Sequence, residues 1–145
     1  WLRLASVTKL CSLPEPLIRY RHYDEQVSAR HATEQQIGAA VSMLAYHQRQ
    51  AGQPDPTVSL ERLPPVDTFD ALFGFEGVSR SVRAHVARAV LYSSEGLRGD
   101  GFELMLRSIK EGGDHTGMWR TVARLIRLRE PARAARLAAT LLGAH

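Results

Sequence analysis

Met118-Trp-Arg-Thr-Val-Ala-Arg-Leu-Ile-Arg-Leu-Arg-Glu-Pro131 runs straight into Ala132-Arg-Ala-Ala-Arg-Leu-Ala-Ala-Thr-Leu-Leu142, and this stretch decides the fold. Met118, Val122, Leu125 and Ile126 recur at helical spacing, so the first part is predicted to be an amphipathic helix with one apolar stripe. Pro131 sits where a first helical turn begins, a position that tolerates proline, and a second helix follows. Helices of three or four turns are marginal alone and must bury their stripes against neighbours. Upstream, Ser81-Val-Arg-Ala-His-Val-Ala-Arg-Ala-Val-Leu-Tyr-Ser-Ser-Glu-Gly96 and Asp100-Gly-Phe-Glu-Leu-Met-Leu-Arg-Ser-Ile-Lys-Glu-Gly-Gly113 read the same way. The region 81–142 is therefore expected to form two stacked helical hairpins, with Val86-Ala-Arg echoed by Val122-Ala-Arg at an offset of 36 residues.

Working outward, Pro14 and Pro16 suit a helix start, with Leu17, Ile18, Tyr20, Tyr23 and Val27 as one stripe. Thr33-Glu-Gln-Gln36 has capping-box form ahead of Ile37, Ala40, Val41, Leu44 and Ala45, and Gly52 closes that helix. Residues 53–66, with four prolines, form the longest connection; those prolines argue against a sheet involving Val58, Leu60 or Val66. Asp67 or Thr68 is expected to cap a short helix carrying Phe69, Leu72 and Phe73, and Asp100 with Glu103 makes another capping box. The expectation is all-α: a single domain, 1–145, of about seven short helices stacked as antiparallel hairpins, a short α-solenoid, behind a basic arm at 1–14.

Composition narrows the function. The chain is 44% hydrophobic and 23% charged, which is ordinary for a globular domain. Its net charge of +4 comes from 19 Lys+Arg, nearly all arginine, and permits acidic proteins, nucleic acid or anionic lipid as partners. Cys11 is alone, so no disulfide framework forms within the chain. No apolar run approaches the roughly 18 residues of a membrane span. Arg3 and Lys9 without any acid in residues 1–14 suit the trailing part of an organellar presequence.

No phosphate-binding loop, dinucleotide fingerprint, cysteine pair or paired-histidine metal motif is present, and no cofactor, metal or catalytic residue is expected. Glu111-Gly-Gly-Asp-His115 reads as an interhelical turn with a capping Asp114 rather than a cation site. The functional signal is arginine. Arg120, Arg124 and Arg127 fall at i, i+4 and i+7 on one stripe, and Arg129, Arg133 and Arg136 carry positive charge into the next helix, with Glu130 the one acid nearby. Such a row is either a solvated face or a dock for carboxylates or phosphates, which the planar guanidinium fork suits. Trp119 beside it is expected in the core, wedged between hairpins.

Gly96, Gly101, Phe102-Glu-Leu-Met105 and Gly112, followed by Trp119, Val122, Ile126, Ala135 and Leu142, resemble the pentatricopeptide repeat, two antiparallel helices in about 35 residues. Met43-Leu-Ala-Tyr-His-Gln-Arg-Gln-Ala-Gly-Gln-Pro-Asp55 is similar to the second helix of an earlier unit. Base-reading members carry a small polar residue after the aromatic; Val86 and Arg120 stand there and offer no such group. The chain's size and helix count are similar to small pentatricopeptide-like subunits on the catalytic (F1) head of mitochondrial ATP synthase. That resemblance implies a non-catalytic subunit that docks on protein partners in a mitochondrial complex, on the matrix side. The alternative is an RNA-binding repeat protein, or a ribosomal or respiratory-chain subunit of the same organelle.

Overall fold

A computed structural model of the chain describes residues 1–19 and 31–144. Among them are eight α-helices: α1 (Leu2–Ala5), α2 (Ala32–Gln50), α3 (Phe69–Phe73), α4 (Val78–Val90), α5 (Ser94–Arg98), α6 (Gly101–Lys110), α7 (Trp119–Arg127) and α8 (Pro131–Leu142). A 3-10 turn at Val66–Thr68 leads into α3. No strand occurs among the described residues, and the helices pack on one another, as an all-α reading requires.

The count exceeds the expected seven for two reasons. A single turn, α1, forms inside the basic arm and packs on α2. The Ser81–Gly96 stretch breaks at Leu91–Ser93, because the Ser93 hydroxyl accepts from the Gly96 N–H at 2.9 Å and starts α5 as a separate helix. The helix expected from Pro14 is not seen over 14–19, and Tyr20, Tyr23 and Val27 lie outside the described residues.

Three capping expectations also need correction. His31, not Thr33, precedes α2, and its ring meets the Glu34 carboxylate at 3.0 Å. Thr68 and Asp100 stand at the starts of α3 and α6 without side-chain caps. The acids beside them are held by arginines instead: Asp67 faces Arg83 and Arg107, and Glu103 faces Arg136.

The core is one continuous apolar cluster. Val78, Val82, Val86 and Val90 repeat every four residues down α4 and are all buried, so α4 shows neighbours a single stiff β-branched ridge. Phe102, Met105, Leu106 and Ile109 of α6 meet that ridge in the most extensive helix packing among the described residues. Gly101 makes the approach possible: a Cβ there would lie 2.5 Å from Val90 Cγ2 and 2.6 Å from Thr33 Oγ1. Helices α7 and α8, joined by three residues, form an antiparallel hairpin whose Leu125, Leu137 and Leu141 seal the other side of the cluster. Across the core, Arg83 is almost fully enclosed between Asp67 (2.8 Å) and Glu111 (2.8 and 2.9 Å), and Arg107 closes the ring on the same two acids.

Candidate docking surface

Three helices of this chain end in the same way. After α2, Gly52 has φ 71° and Gln53 N–H donates to Gln48 O; after α6, Gly112 has φ 79° and Gly113 N–H donates to Ser108 O. After α7 the same six-residue closure runs from Glu130 N–H to Leu125 O, with Arg129 N–H on Ile126 O. The residue in the left-handed position there is Arg129, at φ 62°. Among the described residues it is the one non-glycine with positive φ. A side chain in that conformation costs about 1 kcal/mol against glycine.

Helix α7 carries the rest of the surface. Thr121 and Leu125 are buried and Val122 is half-buried, which fixes the inward direction. At about 100° per residue, Arg127, Arg120 and Ala123 point the other way, with Trp119 and Ile126 along one flank of that face. All five are exposed, Trp119 at 52% and Ile126 at 61%. Both aromatic and isoleucine were expected in the core, and both expectations are corrected: α7 is nine residues long and turns only one face inward, so the apolar stripe is wider than the contact it makes. The outward side of α8 is apolar as well, an exposed row of Ala132, Ala135, Ala139 and Leu142 at helical spacing.

The six arginines of the predicted row divide into two sets. Arg124, Arg133 and Arg136 act inside the chain. Arg124 donates to Leu91 O at 2.6 Å and Ser94 Oγ at 3.0 Å, tying α7 to the α4–α5 junction. Arg133 donates to Leu97 O and Gly99 O and lies 5.1 Å from the Phe102 ring centre. Arg136 forms a two-pronged pair with Glu103 at 2.7 and 2.8 Å. That hydrogen bond holds the Glu103 carboxyl below the usual carboxylate range and pushes the Arg136 guanidinium up. Spacing within the hairpin hid this pairing, because the acid comes from α6.

Arg120, Arg127 and Arg129 are exposed, and their side chains have no ion-pair or hydrogen-bond partner among the described residues. The acid closest to them in sequence, Glu130, is shared by Arg98 and Arg133 at 3.7 Å each. A shallow groove lined by Arg120, Ala123, Arg124, Arg127 and Leu128 runs along this edge.

Elsewhere, Glu111 is bound to Arg83 and Arg107, and Asp114 caps the Thr116 N–H at 2.9 Å, so the 111–115 turn is organised by internal bonds. No group of three or more His, Cys, Asp or Glu placed to hold a metal ion occurs among the described residues. No described helix is long and apolar enough to cross a membrane. Arg83 was missed as a special position by sequence reading; a lone arginine at a core register, among Val82, Val86 and Ala87, was the available signal. Comparison with known proteins finds no matching family model, no similar curated protein and no similar solved structure.

Proposed function

We propose that this chain is a non-catalytic structural subunit that docks through its last helical hairpin onto a protein partner in a larger assembly. The observation that carries this reading is the outward side of α7 and α8, where Trp119, Ile126 and Leu142 are each more than half exposed beside a row of alanines. An apolar outer face fits a hairpin that is covered by a further packed element, and a protein partner supplies one. The assembly to test first is a mitochondrial one, the catalytic head of ATP synthase, on the strength of the pentatricopeptide-like resemblance and the acid-free arm at 1–14.

The test is retention. The tagged full chain is expressed in its own cell, mitochondria are lysed, and the chain is followed through a high-salt wash and sedimentation. Stoichiometric co-sedimentation with the complex supports the reading, and Trp119→Asp with Ile126→Asp should release a folded chain. A chain that sediments alone, with the wild-type face intact, removes the reading.

A second reading has one observation in its favour: an exposed tryptophan on the helix of Arg120 and Arg127, whose side chains have no partner among the described residues, is also a base-stacking platform with phosphate contacts. In that case binding to single-stranded RNA falls steeply with salt, in proportion to the phosphates neutralised. An apolar protein dock loses little over the same range.

A further inference from the structure

We infer that the partner element that covers this face is an acidic amphipathic helix, with its apolar stripe on Trp119, Ala123 and Ile126 and its carboxylates on Arg120, Arg127 and Arg129. The inference rests on the docking reading above and gives it a chemistry.

Four observations lead there. The apolar row and the arginine edge lie on the same side of α7, so one straight element can engage both. Arg120 and Arg127 are seven residues apart, about 10.5 Å along the axis, and a helix laid alongside repeats its own edge positions at the same rise. Between Thr116 and Arg129 the chain has no acid at all, and Glu130 is already shared by Arg98 and Arg133. Among the described residues no acid is placed to neutralise this edge, and a partner that brings carboxylates would complement it.

The third helix end supplies the most specific argument. Two ends of identical hydrogen-bond pattern carry glycine, and the one that closes α7 carries Arg129 in the left-handed conformation. Its guanidinium has no hydrogen bond or ion pair among the described residues to offset the strain. The fold alone is better served by glycine at 129, so the arginine's return lies outside the fold. A second copy of this chain is a poor occupant, because a two-fold pairing sets the same arginine edge against itself.

The experiment uses the purified full chain and two synthetic peptides of about 18 residues. Each has one leucine stripe; one carries glutamates seven apart beside the stripe, the other lysines at the same positions. Fluorescence anisotropy is read at an ionic strength of about 0.15 M. The glutamate peptide should bind at least about tenfold tighter than the lysine peptide. Arg120→Gln with Arg127→Gln should remove most of that difference, and Trp119→Ala should weaken both peptides. Arg129→Gly is the decisive variant. It should raise the thermal midpoint and yet weaken the glutamate peptide about fivefold, a pairing of effects that a purely structural arginine does not produce.

Equal affinity for both peptides, with no effect of the arginine variants, overturns the acidic class and leaves the docking reading to the sedimentation test. Binding of neither peptide up to about 1 mM overturns the inference as well. Displacement of the peptide by a short RNA oligonucleotide at lower concentration assigns the arginines to phosphate. Self-association of the free chain over the same range gives the face to a second copy. Either of the last two results also ends the inference.

Discussion

Arg83 projects from the middle of α4 and Arg127 from the last turn of α7, yet one is enclosed by carboxylates and the other is bare. Around Arg83 the charges are matched: two arginines from α4 and α6 meet two acids from the 3-10 turn and the end of α6. Around Arg127 they are not, and the neighbouring large side chains are exposed apolar ones. The first region spends its arginines on holding helices together. The second keeps its cations and its tryptophan on the outside, where they contribute little to folding. Arginine count alone does not separate these uses; the supply of acids within reach does.

The largest way to break this contrast is to unpair the matched side. Arg83→Ala removes the enclosed cation, leaves Asp67 and Glu111 with Arg107 alone, and opens space in the core. Because both acids keep some access to water, the loss should be about 3 kcal/mol, near the lower end for a broken enclosed pair. Urea unfolding measures it, and a loss under about 0.5 kcal/mol would show that the network is a surface ornament.

Smaller effects sharpen the bare side. Arg129→Gly should stabilise the chain by about 1 kcal/mol, visible as a rise of several degrees in thermal midpoint. Trp119→Ala should cost under about 1 kcal/mol, because half of the ring is already in water. A loss of about 3–5 kcal/mol, as a buried tryptophan gives, would place the ring in the core after all.

The smallest effect is a pH dependence at a second matched pair, Asp55 with Arg49. Asp55 accepts from the Thr57 hydroxyl at 2.6 Å, from the Thr57 N–H at 2.9 Å and from Arg49, and these bonds hold its carboxyl below the ordinary value of 3.8. A group lowered on folding stabilises the folded chain fully above its unfolded value. That contribution is lost as pH falls from about 4 through the lower folded value. Asp55→Asn should therefore flatten the acid limb of the stability curve, and an unchanged limb would remove Asp55 from the account.

Much of the fold was legible because its signals are local. The stripes of α4 and α6, the stops at Gly52 and Gly112, and the proline at the start of α8 each follow from a few adjacent residues. The places that misled are those where a distant group changed the local preference. Asp67 and Glu103 look like caps in sequence and are ion-pair partners in space, because Arg83, Arg107 and Arg136 arrive from other helices. The arginine row was visible as a row, but which members turn inward depends on where Leu91, Ser94 and Leu97 lie, and no periodicity reports that. Trp119 and Ile126 have the spacing of core residues and lack a neighbour to be core against.

The long proline-rich connection is moored at both ends. Arg49 holds Asp55 where it leaves α2, and Arg83 with Arg107 holds Asp67 where it enters α3. Val58 and Ser59, between the moorings, are exposed. A protease nick, a reporter peptide or a cross-linking tag placed there leaves both anchors intact. This makes the connection the natural handle for fishing the chain out of its assembly without disturbing the far face.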